Sequence, residues 1–554
     1  MSVTSKPEES PAQLTTEPQV RAVTAPASRP RSASAPQQAA PPDAPQKPTG
    51  GQQNWAMPLA VLIVGTFMSV LDISIVNIAI PKMQTALNAS SDNIEWVVTG
   101  YTLVLGIVVP LTGWLGLRIG LTRLYVLALL GFSLGSALCG LAWNLESILV
   151  FRAIQAIPGG VLPVTTLTML YQIVPRERMG SAMGLYGLGV VVAPAIGPTL
   201  GGYLVEYYNW RLIFFINVPI GILGCVAALM VFPQIKPSTW PKLDVLGFVT
   251  IAYALFAVLL AFSKGEDWGW TGYRILGLFV TAAISLALFL IIENEVESPL
   301  ISLEVFRYFP FCLSLVLISI TMTGLFSALY FLPQFLQQVQ GLQELDSGLV
   351  LLPAALVMAV CMPIAGRLYD AIGPRYPVMI GLVLVGYGSW LLGQMTVDTP
   401  RGDIEMWLCV RNLGVGLAMM PIMTSGTSSL AQELTAAGSS VNNLVQRLVS
   451  SVAVAVFGSM NAMYSAQLDS DRGGQMGQTP YASHTIAGSA GIPVTDPTKP
   501  VLGGYQALQQ QVTTQTYANG FVITAWLSAV GVLLAVFMRA GKQSSGGQRA
   551  AVEV

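Results

Sequence analysis

The chain has 554 residues, of which 53% are hydrophobic and only 10% charged; 27 basic and 28 acidic side chains leave a formal charge of −1. Soluble domains carry about a quarter charged residues, so this composition excludes that class. The near-zero charge also argues against nucleic acid as a partner.

Apolar runs of about 20 residues, each long enough to cross a bilayer, recur along the chain and predict an all-α polytopic membrane protein. Residues 1–54 come first, rich in Pro, Ala, Ser and Gln, and they cannot bury enough apolar surface to fold. They lack the apolar core of a signal peptide, which predicts a disordered cytoplasmic tail. Fourteen spans follow, starting near Met57, Glu95, Thr122, Leu145, Ser181, Leu212, Leu243, Ile275, Pro310, Ser347, Pro377, Ile404, Gly438 and Ala518.

Span 1 holds one acid, Asp72, in "VGTFMSVLDISIVNIAIP". An ionisable group at that depth is costly against lipid and is a functional candidate by default. Asp72 lies about 22 Å from the first boundary of span 1 and Arg152 about 10 Å from that of the oppositely running span 4, at 1.5 Å per residue. In a hydrocarbon layer of about 30 Å these depths nearly coincide, so the two can share a water-filled cavity. In such a place desolvation favours a neutral carboxyl and a neighbouring cation favours a charged one, which suits proton exchange. A static ion pair pinning spans 1 and 4 is the alternative.

Between spans 2 and 3 runs "GWLGLRIGLTR", with Gly113, Arg118 and Gly120. Span 5 contains "GLYGLGVVVAPAIGPTLGG". There Gly189, Ala193, Gly197 and Gly201 recur every four residues, followed by Gly202, and make a smooth face for close helix approach. Pro194 and Pro198 add bends whose freed backbone groups neighbours must satisfy. Spans 7 and 8 fall in residues 233–308. After span 10 comes "GRLYDAIGPR", with Gly366, Asp370, Gly373 and Arg375. Span 12 carries Arg411, and the place of Asp72 in span 9 falls near Phe326 and Ser327, with no acid there. In span 13 Asn442, Asn443, Gln446 and Arg447 form a polar patch, either substrate-facing lining or interhelical hydrogen bonding. Residues 464–517 read as a long polar loop and 541–554 as a tail.

Gly113 and Gly366 are offset by 253 residues, Arg152 and Arg411 by 259. The chain therefore divides into a six-helix half at 55–232, a two-helix insert at 233–308 and a second six-helix half at 309–540. Two such halves around a pseudo-twofold are transporter architecture, with the site between them. Twelve basic residues in the loops on one side against seven on the other place both termini in the cytoplasm and loop 464–517 outside, where it offers a place for an extracytoplasmic adaptor. The five cysteines lie in apolar runs without paired spacing, and the lone His484 sits in a loop, so no metal site is expected. No Walker sequence points to ATP, and no nucleophile–base or paired-carboxylate set points to an enzyme.

"LDISIVNIAIP", the paired glycine loops, Arg152 in "LVFRAIQAIPGG", the span 5 run, "FFINVPIG" and "NLVQRL" together resemble the major facilitator superfamily, in its 14-span drug:proton antiporter branch of the EmrB/QacA type. The resemblance covers nearly everything from span 1 to span 14. It implies the major facilitator fold in a 6 + 2 + 6 arrangement, and a proton-coupled multidrug exporter of amphipathic or cationic organic compounds in the cytoplasmic membrane, without a bound cofactor. It also implies that the span 5 run is an antiporter motif sealing against proton leak. The family loop normally carries an acid where the first copy has Leu117, so a gating latch falls to Asp370 with Arg375; a local role for Asp370, capping span 11, is the alternative. Two other functions stay open: export of one endogenous metabolite, lipid or antibiotic, and a non-transporting membrane sensor.

Overall fold

The computed structural model describes residues 55–232, 242–296, 299–476 and 499–538. All belong to one compact unit, Asn54–Val554. The expected tails at 1–54 and 541–554 lie outside the described residues, as does His484.

The described residues form helices and no strands. In chain order they are α1 (Ala56–Ala86), α2 (Trp96–Val108 and Leu111–Ile119), α3 (Leu121–Gly140), α4 (Leu145–Ile173), α5 (Met179–Tyr207), α6 (Leu212–Val231) and α7 (Val245–Trp268). There follow α8 (Tyr273–Glu295), α9 (Phe309–Gln334, continued by a π turn), α10 (Glu344–Ile372), α11 (Arg375–Leu392), α12 (Arg401–Ser428), α13 (Thr435–Met476) and α14 (Lys499–Ala535). Among the described residues, 12 helices are long and apolar enough to cross a bilayer, and α2, bent by 58° at its break, makes 13. The expected fifth span, α5, is a 29-residue helix that does not enter that count. A total of fourteen crossings therefore stays an expectation.

The turn after α2 and the turn after α10 share one backbone device. Gly120 has φ 90° and Gly373 has φ 81°, a region that only glycine enters without strain, and each closes its helix with a hydrogen bond back to the fourth residue before it. These two glycines keep the 253-residue offset, so the sequence repeat is also a repeat of local geometry. The end of the bundle that carries both is called the turn end below.

Apolar side chains drive packing in two directions. Of the most apolar stretch of α12, 67% is buried, against 22% for α8, so α12 is central and α8 peripheral. Leu127, Leu134, Ile284 and Leu288 stay exposed on the outside, where a bilayer supplies the apolar medium. The first six helices pack around α1, α4 and α5, and the last six around α9, α12 and α14. The tightest seam between these groups joins α5 to α10, whereas α7 of the insert touches both α2 and α13.

At the far end, helices penetrate the stretch expected as a loop. α13 runs on to Met476 and α14 begins at Lys499, well before Ala518. Hydropathy marks where a helix leaves the apolar layer. Strong helix formers such as those in "QALQQQ" then carry the helix beyond it. The residues between, 477–498, lie outside the described set.

Candidate functional site

Asp72 and Arg152 meet, as their matched depths require. α4 starts on a capping box, in which Asn144 and Ser147 hydrogen-bond each other's backbone N–H, and this fixes the helix that presents Arg152. Arg152 Nη1 donates to Asp72 Oδ2 at 2.5 Å and to Gln155 Oε1 at 2.9 Å, and its Nε donates to the Val97 carbonyl at 3.3 Å. Gln155 Nε2 and Asn217 Nδ2 both donate to Asp72 Oδ1, at 2.9 and 3.2 Å. The guanidinium stacks 3.8 Å from the centroid of the Tyr101 ring. Asp72 is 0% exposed and Arg152 1%.

The partners Gln155 and Asn217 were not singled out from sequence. Their signal was an amide within an apolar span, Gln155 one turn from Arg152 on the same helix face.

The expectation of a shared cavity is not met. A cavity of about 1090 Å³ lies between the two helix groups, lined by α1, α4, α5, α9, α10, α12 and α13, and Asp72 and Arg152 are not among its lining residues. Asp72 points into the first group, toward α4 and α6, while the neighbouring Val70 and Ile73 face the cavity. The cavity reaches exposed residues at the far end, including Lys82, Glu206, Tyr207 and Leu349. At the turn end it is closed by backbone contact. A Cβ on Gly180 or Gly366 would collide with the other's carbonyl, and one on Gly184 would lie 2.5 Å from the Met362 oxygen.

Asp370 seals that closure. Both its oxygens accept backbone hydrogen bonds from the first turn of α5, from Gly180 N and Ser181 N at 2.8 Å each, and Ser181 Oγ donates to Oδ2 at 2.6 Å. No side chain of the preceding residue caps α5, so an acid from the opposite helix group satisfies its orphan N–H groups and its dipole. This corrects the expectation of a cap on span 11 or a latch made with Arg375. Asp370 lies in the last turn of α10 and points across the seam, away from α11, and no ion pair joins it to Arg375 among the described residues. At the equivalent place Leu117 is 55% exposed. Arg118 stacks on Trp114, and nothing lies within 4 Å of a Cβ on Gly113.

The small face of α5 divides its attention. Gly189, Gly197 and Gly201 lie against Ile63, Ser74 and Ile75 of α1, with a Cβ on Gly197 falling 2.5 Å from Ser74 Oγ. Ala193 is fully buried, and the Pro194 carbonyl accepts from Ser74 Oγ at 3.3 Å. Gly202 faces open space. Pro198 falls within the helix, its side chain outside the described set. Gly180, Gly184 and Gly187 form a second small face turned toward α10 and α12.

In the second group Arg411 is 0% exposed, and its guanidinium donates to Ser389 Oγ and Ser327 Oγ at 3.1 Å each and to Asn412 Oδ1 at 3.4 Å. Ser327 thus stands where Asp72 stands in the first group, and no carboxylate pairs with Arg411 among the described residues. Asn443 and Arg447 line the cavity. Asn442 is buried and accepts from Gln446 Nε2 at 3.2 Å.

Comparison with known proteins bears on the family and the fold. Residues 62–454 match the family model described as Major Facilitator Superfamily. The uncharacterized MFS-type transporter YhcA of Bacillus subtilis (strain 168) is 35% identical over 73% of this chain and 76% of its own. The tetracenomycin C resistance and export protein of Streptomyces glaucescens is 29% identical over 88% of this chain and 91% of its own. Among solved structures, the proton:xylose symporter XylE superposes with a TM-score of 0.54 at 12% identity, covering 85% of this chain and 94% of that one, which speaks to the fold alone.

Proposed function

Given that this chain belongs to the major facilitator superfamily and is a multi-pass transport protein, we propose that it is a proton-coupled exporter of amphipathic organic compounds. In this reading it sits in the cytoplasmic membrane with both termini inside and the cavity mouth outside. Asp72 carries the proton, and Arg152 is its ion-pair partner.

One observation carries the reading. Within a single turn of α1, Ile73 faces the cavity, Asp72 faces Arg152, and Ser74 and Ile75 face the glycines of α5. A change at the acid is therefore one residue away from the cavity wall and from the α1–α5 seam. Protonating Asp72 removes the charge that balances a buried guanidinium, and an unpaired buried ion costs several kcal/mol unless the helices rearrange. That cost is the force available to move α1 and α4. Each proton moved through 100 mV supplies about 2.3 kcal/mol, of the same order. The resemblance to a resistance and export protein supports outward traffic of organic molecules.

The test is proton flux in proteoliposomes. Asp72→Asn keeps the shape and one acceptor oxygen while removing the exchangeable proton, so substrate should still bind while substrate-driven proton movement disappears. The pair-as-scaffold alternative is tested by Asp72→Asn with Arg152→Gln. If that double variant is stable and still moves substrate uphill against a proton gradient, Asp72 is structural and the mechanism fails.

A further inference from the structure

The cavity has an uneven charge. Arg447 on α13 lines it deep inside, and its Nε is buried without a hydrogen-bond partner. Tyr186 stands beside Arg447 and Thr66, and Asn443 and Gln446 flank the same stretch of wall. Among the described lining residues the one acid is Glu206, which shares the mouth with Lys82. Glu206 lies about 30 Å along α5 from Tyr186, at 1.5 Å per residue, too far to balance Arg447. Asp72, on the neighbouring wall of α1, is closed off by Arg152, Gln155 and Asn217. The rest of the deep wall is mostly apolar, with Val190, Met322, Phe326, Met358 and Met419 among it.

A lone guanidinium in a mostly apolar pocket attracts anions and repels cations, and low-dielectric walls strengthen both effects. We infer that the substrate is an amphipathic organic anion, an aromatic or alkyl body carrying one carboxylate, phenolate or sulfonate that docks on Arg447. This narrows the exporter reading, on which it rests for the cavity being a substrate site, and replaces the cationic compounds expected from sequence. Thr66, Tyr186 and Asn443 supply further donors for the same acidic group.

The test uses three probes with one ring: anthracene-9-carboxylate, its uncharged methylamide and the anthracenylmethyl-trimethylammonium ion. Equilibrium binding to the purified full chain in nanodiscs is followed by probe fluorescence. The carboxylate should bind at least tenfold tighter than the ammonium, or about 1.4 kcal/mol. Arg447→Lys should keep that ratio and Arg447→Gln should abolish it. Should Arg447→Gln fail to fold, Asn443→Asp, an acid one helical turn away, should abolish the ratio instead. Equal or tighter binding of the ammonium, binding of none of the three, or an unchanged ratio in the folded neutral variant would each overturn the assignment. Because the assay applies no gradient, loss of proton coupling leaves its outcome untouched.

Discussion

The two six-helix groups place an arginine at the same position and surround it differently. In the first, Arg152 meets a carboxylate, two amides and an aromatic face; in the second, Arg411 meets two serine hydroxyls and an asparagine. The inequality reverses at the turn end. There the second group contributes Asp370, which caps a helix of the first, and the first contributes Leu117, which caps nothing. A duplicated fold has thus divided its tasks, with a buried ion pair on one side and the closing clamp on the other. Backbone geometry has stayed common to both, as the paired glycine turns record.

Removing each arginine should break this comparison most sharply. Arg152→Met leaves the Asp72 carboxylate buried and unpaired, at a cost of about 3–5 kcal/mol. Arg411→Met strands no ion, so its cost should stay within about 1–2 kcal/mol, the range of the hydroxyl groups left unpaired. Unfolding of both variants in mixed detergent micelles measures the difference, and equal losses would mean the groups are energetically alike.

The clamp comes next. Asp370 makes three charge-assisted hydrogen bonds across the seam, and hydrogen bonds to charged groups contribute about 1.5–3 kcal/mol each, net of exchange with water. Asp370→Ala should shift the population away from the state closed at the turn end by tenfold or more. Labelling of a cysteine at Ala355, which lines the cavity, should slow accordingly. Leu117→Asp should leave labelling unchanged, since nothing caps from that place.

A smaller effect is expected on the α1–α5 seam. A side chain at Gly197 meets Ser74, and overpacking of this kind costs about 1–3 kcal/mol, so Gly197→Leu should lower stability and impair coupling. Gly202→Ala enters open space and should change stability by less than about 0.5 kcal/mol. Thermal unfolding of the two variants side by side tests whether the small face is needed residue by residue or only as a stripe.

Composition and apolar periodicity determined the class, the order of the helices and the repeat, because a bilayer admits few backbone solutions and each leaves a long apolar run. Counting residues at 1.5 Å each also gave the depth of Asp72 and Arg152, and their contact followed. What counting cannot supply is azimuth. Which way a side chain points around its helix depends on tilt and on the neighbours it packs against. Hence tertiary structure alone turned Asp72 away from the cavity, brought in Gln155 and Asn217, and set Arg447 against the cavity without an acid. The reach of Asp370 to α5 belongs to the same class: its partners lie 189 and 190 residues away, and only the closed seam between the two groups brings them within hydrogen-bond distance.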